Sequence, residues 1–265
     1  MLGAIIGDIV GSIYEFDNIR YKTFPFLTDK NFFTDDSVMT IAIYSALKKC
    51  KGDYHKLSDY AIKEMQKFGK LYPNSPKISY GSRFASWLTS SNPKPYNSFG
   101  NGSAMRVSSV PYFANSIDEV KELSKSVTEV THNHEEGLEG AEAVAVCIYL
   151  ALHKKGKEEI KKYVEDNYYS LNFDYAELVK NYRFDETCQN TVPQAIYCFL
   201  ISNDFEDAIR TAVSIGGDTD TICAIVGGIA EAYYGIPKEI KEEICKYLDK
   251  RLCKIVKKFV KENNS

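Results

Sequence analysis

Two short stretches place acidic and hydroxyl side chains where apolar segments begin: "FTDD", with Thr34, Asp35 and Asp36, and "GGDTDT", with Asp218, Thr219, Asp220 and Thr221. A helix start leaves its first N–H groups unpaired, and one Asp or Thr satisfies them and suits the helix dipole. Capping explains one such residue at each start, and both stretches carry more. If the two starts face each other, four carboxylates crowd together, and one like-charge pair at about 4 Å costs roughly 4 kcal/mol at an effective dielectric of 20. Cations relieve that repulsion; without them some of the carboxyls stay protonated. Every donor on offer is oxygen, which favours Mg²⁺, Mn²⁺ or Ca²⁺ over zinc. The number of donors suits two metals roughly 3.5–4 Å apart.

Three further groups bear on chemistry. In "SFGNGSAMRV", Gly100 and Gly102 let the backbone approach a ligand closely, and a following helix start offers N–H groups to phosphate. As a dinucleotide fingerprint it fails, because Met105 stands where the last glycine belongs and no strand precedes it. In "THNHEEGLEGA", His132 and His134 are two apart and lack the further nitrogen or sulfur donors of a zinc site, so a cap or a ligand hydrogen bond is expected of them. Glu15 is a lone carboxylate between Tyr14 and Phe16, placed to orient or deprotonate a nucleophile.

The elements that position these groups are nearly all helical. Apolar periodicity predicts a first helix in "GAIIGDIVGSIYEF" and others at about 34–50, 53–70, 81–91, 117–131, 135–155, 157–166, 193–202, 204–215, 219–234 and 237–261. Pro193 and Pro237 read as first-turn prolines. Gly3, Gly7 and Gly11, four apart, mark a stripe where another backbone comes very close, since glycine otherwise weakens a helix. Strand alternation is absent, and so are repeats and linker-like segments. The expectation is one all-α domain spanning residues 1–265.

Composition excludes several classes. The 265 residues are 44% hydrophobic and 26% charged with net charge −3, so no basic field draws the chain to nucleic acid or anionic lipid. No apolar run reaches the ~20 residues of a membrane span, and the sequence opens on no signal-like pattern. Seven scattered cysteines, most of them in apolar segments, are expected as free packed thiols in a reducing compartment, which makes the cytoplasm the expected location.

Taken in order, "GAIIGDIVGSIYE", "FTDDSVMT", "GNGSAMRV", "THNHEEGLEGA" and "TVPQAIYCFLISNDFEDAIRTAVSIGGDTDTICAIVGGIAEAYYG" resemble the ADP-ribosylglycohydrolase family, which includes the dinitrogenase-reductase activating glycohydrolases. The paired "TDD" and "GGDTDT" motifs are specific, and the resemblance runs from residue 1 to about 235. It implies an orthogonal helical bundle with two Mg²⁺ ions, with Mn²⁺ as a substitute. The implied reaction cleaves the N- or O-glycosidic bond between ADP-ribose and a modified side chain such as arginine or serine, or a related conjugate. By the same resemblance Thr34, Asp35, Asp36, Asp218, Asp220 and Thr221 are the metal ligands. Asn101, Gly102, Ser103, Met105 and His132 are the substrate contacts, and Glu15 or Asp36 activates the attacking water. Ser103 departs mildly from the small residue many relatives carry there. "ISYGSRFASWL" resembles another site-lining stretch, without an assignable role for any one residue. The implied partner is an ADP-ribosylated protein acted on by a monomer, with no stable nucleic-acid partner and no membrane. Two rivals stand beside this reading. A family member that has lost activity would be a binding or structural protein, and "DTDT" also resembles the phosphatase motif D-x-D-x-T, whose expected buried strand near the N-terminus is missing.

Overall fold

The computed structural model describes residues 1–263. Among the described residues the chain forms helices and turns only, apart from two isolated β-bridges. In chain order the helices are α1 (Leu2–Gly11), α2 (Asp35–Cys50), α3 (Leu57–Leu71), α4 (Ser82–Thr89), α5 (Ile117–Thr128), α6 (Glu135–Leu152) and α7 (Lys157–Asn167). They continue as α8 (Tyr175–Asn181), α9 (Cys188–Leu200), α10 (Phe205–Ile215), α11 (Thr219–Tyr234), α12 (Lys238–Glu243) and α13 (Lys250–Asn263). The all-α expectation is met, and one continuous hydrophobic core runs through the bundle.

The centre of the fold is the pair α1–α11, both buried along almost their whole length. The glycine stripe does what its spacing implies. A methyl group on Gly3, Gly7 or Gly11 would collide with the backbone carbonyls of Gly227, Cys223 and Thr219 respectively. The pairing runs antiparallel in steps of four, so it brings the C-terminal end of α1 against the first turn of α11. The Thr219 hydroxyl locks that end by donating to the Gly11 carbonyl at 2.9 Å.

Asp8, buried in α1, fixes α2 in turn. Its carboxylate accepts the Thr34 N–H at 3.0 Å, the Thr34 hydroxyl at 2.7 Å and the Ser37 N–H at 3.1 Å, and it also takes the Ser37 hydroxyl. One carboxylate thus satisfies orphan donors at the start of a second helix. Through α1, the N-termini of α2 and α11 are held side by side.

Several expectations are corrected. Helix α9 starts at Cys188, so Pro193 lies inside it rather than in the first turn. The early start comes from the loop before it, where the Cys188 N–H donates to the Phe99 carbonyl at 2.9 Å and the Asn101 N–H to the Glu186 carbonyl at 2.7 Å. Pro237 sits one residue outside α12. The long helix expected at 237–261 is broken, because Asp249 caps a new start by accepting the N–H groups of Arg251 and Leu252 at 2.8 and 2.9 Å. Helix α8, capped by Asp174, had no periodic signal long enough to find it. Helix α1 ends at Gly11, four residues before Glu15. Cys245 and Cys253 are joined in a disulfide across the break between α12 and α13, so only Cys50, Cys147, Cys188, Cys198 and Cys223 are the free buried thiols expected of all seven.

Candidate active site

The "GGDTDT" stretch owes its shape to its two glycines. Gly216 and Gly217 both have positive φ, +68° and +83°, a region side chains avoid, and they turn the chain from the end of α10 directly into α11. Asp218 becomes the N-cap of α11, and Asp220 and Thr221 fall in its first turn. Thr34 caps α2 by accepting the Asp36 N–H, and Asp35 and Asp36 open that helix.

The two starts do face each other. The Thr221 hydroxyl donates to Asp36 Oδ1 at 3.0 Å, a direct bridge between α11 and α2. Glu15 joins from the turn after α1, and carboxylate oxygens of Glu15, Asp218 and Asp220 lie within 4.8 Å of one another. These groups floor a cavity of about 320 Å³ that Asp35, Asp36 and Thr221 also line. Thr34 is absent from the lining, its hydroxyl being bound to Asp8.

The glycine-rich loop forms the facing wall. Asn101 Nδ2 donates to Asp218 Oδ2 at 2.8 Å and ties this loop to the acidic floor. Gly100, Gly102 and Met105 line the cavity, and the two glycines lie next to the ring of His132, also in the lining. Ser103 points elsewhere: its hydroxyl is buried and donates to the Gly137 carbonyl at 2.8 Å, fastening the loop to α6. His132 hydrogen-bonds through Nδ1 to the Thr131 hydroxyl at 2.7 Å, which in turn accepts from Arg106. Burial, with Arg106 and Arg83 nearby, holds the imidazole well below its usual pKa, so it is neutral. His134 is the N-cap of α6 and stands outside the lining.

Sequence reasoning missed part of the wall. Tyr96, Arg106 and the exposed Glu186 line the cavity from loops and short turns that carry no periodic signal. Ser79, Gly81, Ser82, Arg83 and Phe84 line it from "ISYGSRFASWL", the stretch without an assigned role. Arg106 is fully buried and its Nε lacks a hydrogen-bond partner among the described residues. Both Arg83 and Arg106 stack on aromatic rings, Tyr96 and Phe84 respectively, and among the described residues neither forms an ion pair with the acidic floor.

With no cationic side chain paired to them, the carboxylates raise one another's affinity for protons. Burial and the Asp220 charge push Asp8 up to about 7 and Glu15 and Asp35 up to about 8, and raise Asp36 and Asp218 well above the usual range. For Asp8 the hydrogen bonds from Thr34 and Ser37 pull the other way. A carboxyl whose folded pKa exceeds its unfolded one stabilises the fold below the unfolded value, and that stability is lost as pH rises through the folded value. Metal-free protein should therefore lose Tm steadily between about pH 4 and pH 8, measured by calorimetry in chelator; a flat or rising profile would mean that the charges are compensated within the protein.

Fold and site together define an all-α protein with a cleft whose floor is carboxylate and hydroxyl oxygen and whose wall is a glycine-rich loop. The chain belongs to the ADP-ribosylglycohydrolase family, whose profile matches residues 1–265. It is similar to human ADP-ribosylhydrolase ARH3, with 26% identity over 89% of this chain and 84% of the human protein. A similar identity, 26%, relates it to ADP-ribosylarginine hydrolase Tri1 of Pseudomonas putida, over 92% of this chain and 72% of that one. A solved structure named as an ADP-ribosylglycohydrolase-related protein complex has the same fold, with a TM-score of 0.64 over 93% of both chains at 23% identity. Among the described residues no helix is long and apolar enough to cross a membrane.

Proposed function

We propose that this protein is a Mg²⁺-dependent hydrolase that cleaves the glycosidic bond joining ADP-ribose to a modified side chain, arginine or serine, acting as a monomer on ADP-ribosylated protein. The observation that carries this reading is the meeting of the α2 and α11 starts, through Thr221 and Asp36, opposite the glycine-rich loop. The donor set fits hard divalent cations: it is all oxygen, its carboxylates lie close together, and no basic side chain neutralises them. Thr34, Asp35, Asp36, Asp218, Asp220 and Thr221 would hold two such ions; the Thr34 hydroxyl, bonded to Asp8, also lies 3.4 Å from Asp36 Oδ2. Bound cations supply charge compensation and Lewis-acid polarisation of the ribose hydroxyls.

The chain's own residues then divide the remaining work. The backbone around Gly100 and Gly102 admits the diphosphate and ribose closely, and Asn101 keeps that wall in register with Asp218. Neutral His132 offers a hydrogen bond without adding charge. Hydrolysis forms a bond from water oxygen to the anomeric carbon, and the breaking bond leaves its electron pair with the departing side chain. Of the two carboxylates expected to activate water, Asp36 already accepts the Thr221 hydroxyl, whereas Glu15 takes no side-chain hydrogen bond among the described residues. Glu15 is thus the group free to orient the water and accept its proton. The surrounding carboxylates stabilise the positive charge that develops on the ribose.

The test is release of ADP-ribose from arginine-linked and serine-linked substrates, run side by side in Mg²⁺ and in EDTA. Release that needs Mg²⁺ is expected, and the productive substrate names the linkage. Binding of ADP-ribose without release from either substrate would replace the hydrolase reading with a binding protein. Mg²⁺ should also raise Tm more at pH 8 than at pH 5, because ligation requires the carboxyls to give up protons.

A further inference from the structure

The mouth of the cleft carries an apolar feature that the reaction itself does not use. Phe16 is 83% exposed, the highest value among the exposed large hydrophobic residues, and it stacks on Phe184, itself 44% exposed, with ring centroids 6.2 Å apart and planes 24° apart. Phe16 follows Glu15 directly in the chain, and Phe184 stands two residues before Glu186; both glutamates line the cavity. Their charges are close enough for Glu186 to raise the pKa of Glu15. The pair therefore borders the cleft beside the proposed water-activating carboxylate, and the Glu186 carbonyl, which accepts the Asn101 N–H at 2.7 Å, joins the Phe184 segment to the edge of the glycine-rich loop.

The two rings are not displayed by a loose loop. Asn18 holds the Phe16 turn from both ends: its Nδ2 donates to the Tyr14 and Gly217 carbonyls at 2.6 and 3.0 Å, and its Oδ1 accepts the Gly217 N–H at 2.7 Å. Arg20 donates to the Tyr182 carbonyl at 3.0 Å and to the Ile215 carbonyl, so it ties this turn to the strand of chain that bears Phe184. An anchored backbone that keeps two phenyl rings in water forgoes their burial, and such exposed apolar surface at a site rim marks a contact surface. Stacked exposed rings present flat faces suited to apolar side chains, peptide planes and cationic groups. In the two chain segments that carry them Glu15, Asp17, Asp185 and Glu186 outnumber Arg183 and Arg20, a balance that repels a phosphate backbone and accepts a polypeptide.

We infer that Phe16 and Phe184 form the docking platform for the polypeptide that carries the ADP-ribosyl group, and so select carrier-linked substrate over free conjugate. This inference rests on the hydrolase reading for its chemistry, and binding and cleavage are measured separately for that reason. The test compares the parent with Phe16→Ser/Phe184→Ser on two probes of one linkage, an ADP-ribosylated peptide and the same ADP-ribosylated amino acid without flanking residues. In the parent the peptide should bind more tightly and have the higher kcat/KM. In the variant both advantages should shrink by about tenfold or more, as for loss of a central aromatic contact, mainly through KM and Kd. Values for the free conjugate, and Tm, should stay within about twofold and a few degrees of the parent. Equal losses on both probes would assign the rings to nucleotide binding or to the fold, and unchanged peptide binding would remove the platform; either overturns the inference. If neither probe is cleaved yet the peptide advantage in Kd depends on the pair, the platform stands and the hydrolase reading falls.

Discussion

Replacing Asp218 with Asn is expected to reduce release of ADP-ribose by at least about 10²–10³-fold, the scale of loss when one preorganised charge is removed from a catalytic site. The same substitution should leave the fold intact. Asp218 accepts Asn101 Nδ2 through Oδ2, and an asparagine carbonyl accepts that bond equally well. It also takes one carboxylate out of a cluster in which burial and Asp220 raise Asp218's own proton affinity. In EDTA at pH 8 the variant should therefore melt at or above the parent temperature, whereas the stabilisation by Mg²⁺ should largely disappear. This pairing of a lost activity with an undiminished apo stability is what a charge-strained functional site predicts. A variant that kept parental rates in Mg²⁺ would exclude Asp218 from the metal-holding set; one that melted far below the parent in EDTA would show the Asp218 charge to be structural instead.

The second large effect lies far from any chemistry. Gly7→Ala, in the middle of α1, should destabilise the protein by at least the upper end of the ~1–3 kcal/mol usual for overpacking, lowering Tm by roughly 6–12 °C. Gly7→Val should prevent folding. The usual rule for a helix interior has the opposite sign, since alanine is the better helix former by about 0.5–1 kcal/mol. It fails here because the new Cβ would overlap the backbone of Cys223 and Ala224, which cannot rotate away as a side chain could. Gly81→Ala is the comparison: its added methyl meets nothing within 4 Å and its φ is ordinary, so Tm should stay close to the parent value. Equal Tm values for Gly7→Ala and the parent would mean that α1 and α11 are not in backbone contact. Because α1 places Asp8 and Glu15, any Gly7 variant that does fold should also lose affinity for Mg²⁺.

The sequence alone determined the helical class, most helix positions and the identity of the acidic floor. Helices with a continuous apolar face announce themselves through local spacing, and an over-supply of oxygen donors at two helix starts exceeds what capping requires. The glycine spacing of α1 likewise encoded a close helix partner, although not which one. Residues lacking such local repetition stayed hidden. Glu186, Tyr96 and Arg106 reach the cavity from irregular backbone, and the cap at Asp249 that splits the last helix lies within an otherwise unbroken periodic pattern. Only the tertiary structure decided that α11 is the partner of α1, that Thr221 meets Asp36, that Ser103 binds the Gly137 carbonyl and that Thr34 binds the Asp8 carboxylate. It also brought Phe16 against Phe184, 168 residues along the chain. The physical reason is range: hydrophobic period and capping are set by neighbours a few residues apart, whereas a carboxylate's proton affinity and a ring's exposure depend on groups that the fold alone brings together.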